Sequence, residues 1–146
     1  PSASASAGLI AQIWTRWTGA ATDDKQQRLM QVGVSEMQGG LYTQAEQTFD
    51  ALIALNPDFM EAWNKRATVR YVLGNLNGSQ DDINQVLARE PRHFGALSGL
   101  GLINMKRGDL SNAIRAYEKV LQIDPFSQDA RMLLPKLRKQ MDKSNL

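Results

Sequence analysis

The sequence predicts an all-α chain, an α-solenoid of stacked antiparallel helix pairs. Three observations predict it. Pro57, Pro91 and Pro125 stand 34 residues apart, and a fixed period of that length marks one supersecondary unit stacked on itself. Aligned on these prolines, the chain gives three blocks, 26–59, 60–93 and 94–127, whose columns agree in residue size. Position 8 of the block is Gly33, Ala67 and Gly101, and position 20 is Ala45, Ser79 and Ala113. Position 24 is Phe49, Ile83 and Tyr117, and position 27 is Leu52, Val86 and Val120. Small residues at 8 and 20 let the two helices of a pair approach closely, and larger apolar residues at 24 and 27 fill the seam. The turn chemistry also recurs. Position 15 is Gly40, Gly74 and Gly108, suited to ending a first helix in the left-handed conformation. Position 18 is Thr43, Asn77 and Ser111, residue types favoured as helix N-caps.

Taken in order, residues 1–8 are small and polar and read as a linker that buries too little surface to order itself. Residues 9–21 read as an amphipathic N-terminal helix, with Leu9, Ile10, Ile13, Trp14 and Trp17 on one broad face. Such a helix either caps the first repeat or docks elsewhere through Trp14 and Trp17. A repeat domain is expected over 22–146, with Asp23 and Asp24 favouring a helix start at the positive end of the dipole. Six helices in three hairpins are expected near 24–38, 43–55, 59–73, 78–89, 93–107 and 111–123. Thr43 with Glu46 has the spacing of a capping box, and Asp58 with Glu61 is a similar start. Ser127 is placed to cap a last helix over 128–142, whose Ala130, Leu133, Leu134, Leu137 and Met141 recur at helical spacing. Terminal helices of this kind cover the open end of a repeat stack. Pro135 predicts a bend within it. From 128 to 146 the balance is +3, which reads as the solvated outside of a capping helix.

Composition sets bounds. The chain has 146 residues, 42% of them hydrophobic and 22% charged, with a net charge of +2. That suits one ordinary domain and does not point to nucleic acid, which is not an expected partner. Cysteine is absent, which excludes disulfides and thiolate chemistry. No apolar run approaches the ~20 residues needed to cross a bilayer. The opening "PSASASAG" lacks an initiator methionine and reads as a processed or cut-down chain. His93 is the only histidine, so it reads as a capping or packing residue rather than a metal ligand or general base. No phosphate loop, hydrolase elbow or paired carboxylates stand out. No cofactor, metal or enzymatic activity is expected.

The period, the small columns, the glycine turn and the proline together resemble the tetratricopeptide repeat (TPR) family, most clearly over "FGALSGLGLINMKRGDLSNAIRAYEKVLQIDP". The second block departs, with Arg66 and Arg70 at positions 7 and 11, where the family usually has leucine and an aromatic. "AWNKRA" and "EPRHFGALSGLGLI" are similar to bacterial and organellar members; a soluble protein is expected, with the compartment left open and a bacterium, mitochondrion or plastid as candidates. The resemblance implies a right-handed superhelix whose first helices line a concave groove. Carried over, groove residues are Met30, Val34 and Met37 in the first block, with Asn64, Thr68 and Tyr71 in the second. In the third block they are Ser98, Leu102, Met105 and Lys106. The groove is apolar and methionine-rich, and methionine adapts to varied partners. Some relatives clamp the acidic tail of a chaperone with lysine, arginine and asparagine. Here those positions are Met30, Val34, Lys65, Gly95 and Gly99, so carboxylate-clamp binding is not expected.

Two readings of function stand. One is an adaptor or assembly factor that holds a helical or extended segment of another protein in the groove. The other is a permanent subunit of a larger complex, contacting neighbours through the tryptophan helix and the basic C-terminal helix. Self-association through residues 9–20 is left open beside both. Position 11 reads Glu36, Arg70 and Asn104 along the stack. Equivalent positions stack in a solenoid, so Glu36 is expected to pair with Arg70, joined by Arg66, as a structural ion pair.

Overall fold

The computed structural model describes residues 3–18 and 23–146 and, in the first helix, side chains only as far as 13. Trp14 and Trp17, which carry the expected docking face, therefore lie outside the described side chains. Among the described residues there are eight helices: α1 Ala3–Thr18, α2 Asp24–Gln38, α3 Tyr42–Leu55, α4 Met60–Val72, α5 Leu76–Arg89, α6 Phe94–Arg107, α7 Leu110–Ile123 and α8 Gln128–Ser144. No strand occurs among the described residues. None of the described helices is long and apolar enough to cross a membrane. The described residues fall into two compact units, one of 11–18 and 23–91, the other of 3–10 and 92–146.

The helix pairs follow the 34-residue ruler. Each first helix ends at a left-handed glycine, with φ of 75° at Gly40, 83° at Gly74 and 76° at Gly108. The chain then turns back identically three times. The N–H groups of Leu41, Asn75 and Asp109 donate to the carbonyls of Glu36, Arg70 and Asn104, each at 2.8 Å. This closure ends the turn two residues earlier than the sequence suggests. The second helices are capped at position 16, by Asn75 and Asp109, whose side chains accept from Gly78 N and Asn112 N. Leu41, at the same position, gives no side-chain cap. Thr43, Asn77 and Ser111 thus lie inside the helices rather than at their caps, and the Thr43–Glu46 capping box does not form. Asp58 is likewise not a cap: α4 follows Phe59 with no side-chain cap bond. Other starts match expectation. Asp23 Oδ1 accepts from Gln26 N at 2.8 Å, and Ser127 Oγ from Ala130 N at 3.4 Å. His93 caps α6, its Nδ1 accepting from Ala96 N at 3.1 Å.

One departure concerns the N-terminal end. The helix α1 begins at Ala3, so residues 3–8, expected as linker, are helical. Alanine has the highest helix propensity of any residue, and Ala3, Ala5, Ala7 and Ala11 supply it. Ser6 is the buried residue of this stretch, and Leu9 is half exposed. At the other end α8 runs past Pro135 to Ser144. It buries Ala130, Leu134 and Leu137 and lies against α7. Its ion pair to α7 is Arg138 with Glu118 at 3.3 Å.

Packing follows the size columns. In the 23–91 unit, Ala45, Phe49, Leu52, Ile53, Phe59, Ala62 and Val69 form a buried core between α2, α3 and α4. A Cβ added at Gly33 would meet the Phe49 ring at 2.6 Å, so position 8 must be bare where position 24 is aromatic. The 92–146 unit repeats the device, with Gly101 against the Tyr117 ring, also at 2.6 Å. Also in the 23–91 unit, α4 and α5 carry Ala67 and Ile83 in the same two columns, both buried. There Ser79 Oγ donates to the Ala67 carbonyl at 2.7 Å, which measures how closely the two helices approach.

Candidate functional site

The residues assigned to the groove occupy the first helix of each pair. On α2, Met30, Val34 and Met37 are half-buried and pack on the core of their own unit. Much of their apolar area is therefore already in use. On α4, Asn64 is buried rather than open, and its Nδ2 donates to the carboxylate of buried Glu61 at 3.1 Å. Lys65 reaches the same carboxylate at 3.8 Å. Thr68 is exposed, with its hydroxyl donating to the Asn64 carbonyl at 3.2 Å. Tyr71 is half-buried and Val72, beside it, is exposed. On α6, Leu102 is 37% exposed and Lys106 is exposed, while Ser98 and Met105 are half-buried. The accessible part of each face is thus narrower than the sequence suggests: Thr68, Tyr71 and Val72 on α4, and Leu102 and Lys106 on α6.

The expected Glu36–Arg70 pair does not form. Glu36 accepts the hydroxyl hydrogen bond of Thr48. Arg70 donates to Glu46 at 2.9 Å and to both oxygens of Asp82 at 3.2 Å. Arg66 grips Asp82 in two bonds, at 3.0 and 2.8 Å, and reaches Asp50 at 2.8 Å. The physical reason is the antiparallel hairpin. It sets position 11 against position 23 of the same block, so Glu36 meets Thr48 and Arg70 meets Asp82. The links between blocks run from α4 to α3, its other neighbour, not to α2. Asp82 is 1% exposed and would be costly without partners. Two guanidinium groups surround it. Burial works against the Arg66 charge, but its bonds to Asp82 and Asp50 outweigh that and hold its pKa above the ordinary arginine value. Arg66 also lies 5.1 Å above the Trp63 ring. Asp82, Glu46 and Asp50 were missed in the sequence, and the hairpin relation of 7 and 11 to 23 was the signal that could have found Asp82.

This network is built to hold helices. All its strong bonds are internal, and its acids are matched by arginines. Among the described residues no group of three or more histidine, cysteine, aspartate or glutamate side chains is placed to hold a metal. In the 92–146 unit, a cavity of about 420 Å³ opens at the start of α6, beside the turn from α7 to α8.

A family model for the tetratricopeptide repeat matches residues 33–78 and 65–128. Over 82 residues the chain is 46% identical to a TPR repeat-containing protein of Rhizobium etli, a match covering 56% of this chain and 40% of that protein. It is 26% identical over 121 residues to small glutamine-rich tetratricopeptide repeat-containing protein 2 of Mycosarcoma maydis, covering 83% and 34% of the two chains. The chain thus spans less than half the length of these relatives. Among solved structures, the Sgt2 TPR domain from Aspergillus fumigatus superposes with a TM-score of 0.79 at 20% identity, covering 86% of this chain and 85% of that one. The first TPR of Spaghetti (RPAP3), solved bound to the HSP90 peptide SRMEEVD, gives 0.77 at 21% identity, covering 84% and 98%. These likenesses show an all-α helical repeat fold.

Proposed function

The chain belongs to the tetratricopeptide repeat family, whose domains generally mediate protein–protein interaction, and we propose that it is a non-enzymatic adaptor or assembly factor. It binds a helical or extended segment of a partner protein on the open faces of its first helices. The observation that carries this reading is the exposure of Thr68 and Val72 on α4, and of Leu102 and Lys106 on α6. Apolar and polar side chains alternate there, whereas Met30, Val34 and Met37 on α2 pack on the core of their own unit. Helix-in-groove recognition needs such apolar anchors at helical spacing. A similar domain, that of Spaghetti, has been solved with a peptide bound. The partner here is of different chemistry, because the clamp positions are Met30, Val34, Lys65, Gly95 and Gly99.

Selection of a displayed library of short segments on the full chain tests the reading. The expected peptides carry apolar residues at helical spacing and bind at micromolar strength, about −8 kcal/mol. Thr68→Arg with Leu102→Arg abolishes retention without unfolding the chain. Peptides retained equally by that variant overturn the reading.

A second reading rests on a different observation. The outer face of α8 exposes Arg131, Met132, Lys136, Lys139 and Lys143. A structural subunit held in a larger complex through this face and through α1 would present such a surface.

A further inference from the structure

The cavity in the 92–146 unit has a lining unlike the rest of the first-helix faces. Two aromatic rings, Phe94 and Phe126, and two carboxylates, Asp124 and Asp129, meet around Gly95 and Ser98 of α6. No lysine or arginine lines it. Its volume is about 420 Å³, and it is an open depression with Phe126 and Asp129 exposed at its edge. Phe126 sits in the turn before α8 and remains 40% exposed.

Neither carboxylate is neutralised by a cationic side chain. Among the described residues neither makes an ion pair. Asp124 Oδ1 accepts from the Phe126 N–H at 3.0 Å and so shapes the turn, while Oδ2 takes no bond from a described residue. The starts of α6 and α8 both lie at the cavity and are capped, by His93 and by Ser127, so neither helix end requires an anion here. An acidic guest would meet two like charges. A purely apolar guest would strip water from two carboxylates without replacing it. A cation satisfies both walls, by charge-assisted hydrogen bonds to the carboxylates and by lying against the ring faces.

We propose that this cavity receives the cationic end of an arginine or lysine side chain from a partner segment lying along α6. The inference rests on the reading of α6 as part of a binding face and adds the chemistry of the partner: a basic segment, opposite in sign to an acidic chaperone tail. Gly95 lines the cavity without a side chain of its own.

The cavity is tested directly on the full, nitrogen-15-labelled chain, with N-acetyl-arginine amide, N-acetyl-norleucine amide and N-acetyl-glutamate amide as probes. The arginine probe shifts the amides of Gly95, Ser98 and Asp129 in a saturable way, and the other two do not. Asp124→Asn with Asp129→Asn keeps the turn's acceptor and weakens the arginine probe roughly fivefold to tenfold. Phe126→Ala weakens it by about threefold. Equal shifts from all three probes, or arginine shifts that ignore the carboxylates, overturn the inference. Library peptides retained by a chain whose cavity is blind to arginine also overturn it and leave the binding face standing. An arginine-selective cavity on a chain that retains no peptide overturns the partner segment itself.

Discussion

The hairpin α4–α5 and the hairpin α6–α7 occupy the same 34-residue frame and are joined by opposite physics. In α6–α7 the seam is apolar: Gly101 lies under the Tyr117 ring, and position 23 is Ala116, buried. In α4–α5 the same position is Asp82, gripped by Arg66 and Arg70. The backbone turns that close the two hairpins are nevertheless alike, with bonds of 2.8 Å from Asn75 to Arg70 and from Asp109 to Asn104. The frame is therefore set by the left-handed glycine and by small residues at positions 8 and 20. The fill is free to vary. An ionic seam is no more stabilising than an apolar one of equal volume, but it is far less tolerant of losing one member.

That difference gives the largest expected effect. Asp82→Ala removes the partner shared by two guanidinium groups, leaving Arg66 only Asp50 and Arg70 only Glu46, and lowers unfolding free energy by about 2–4 kcal/mol. The value is discounted because Arg70 keeps a fifth of its side chain in water, 21%. Urea unfolding checks it, and a loss below the error of the fit would mean that the network contributes nothing. Replacing Asp82, Arg66 and Arg70 together by leucine should recover most of the loss.

The corresponding break in the apolar seam is smaller. Gly101→Ala drives a methyl group into the Tyr117 ring and costs about 1–3 kcal/mol. Tyr117→Ile in that background recreates the Ala67 and Ile83 combination of the second block. It is expected to recover part of the cost, so the pair must be non-additive. Additive losses would show that the ring is not the obstacle.

Arg70→Ala sharpens the ionic side. Asp82 keeps both bonds from Arg66, and Glu46 is left at 27% exposure, so about 1–2 kcal/mol is expected. A thermal midpoint unchanged within error would reject any role for Arg70 in joining α3 to α4.

The smallest effect lies at the start of α7. The side chain and the backbone N–H of Asn112 donate to the exposed Asp109 carboxylate and hold its pKa below the ordinary value. A depressed folded value stabilises the chain above the unfolded carboxylate range, and that contribution is lost as pH falls through the folded value. The midpoint difference between the native chain and Asp109→Asn should therefore shrink in acid. Its growth in acid would reverse the sign of the argument.

Much of this was legible before the structure. The proline spacing, the glycine turns and the pairing of small with large columns depend on local backbone conformation and side-chain size, which a sequence displays directly. Gly33 with Phe49 and Gly101 with Tyr117 are such cases. What escaped depends on which helices touch. Comparing position 11 with position 11 along the stack led to Glu36 and Arg70, whereas α4 lies between α3 and α5 and its arginines go there. The caps shifted because the left-handed glycine completes the turn by itself, leaving Asn75 and Asp109 to start the next helix. The candidate face was read too broadly for a related reason. Asn64 was carried over to the groove by its place in the repeat, but it is buried and bonded to Glu61. Met30, Val34 and Met37 are apolar and were assigned to a partner, but they serve the core of their own unit.

The central claim is that partner segments lie on the open faces of α4 and α6 rather than on α1 or α8. Photo-cross-linking of a library-selected peptide to the full chain tests it most directly. Benzoylphenylalanine is placed singly at Thr68 and Leu102, and separately at Leu9 and Met132, all exposed positions. The account predicts cross-links from the first two positions and none from the others. Cross-links confined to Leu9 or Met132 would contradict it and move the contact surface to the two terminal helices.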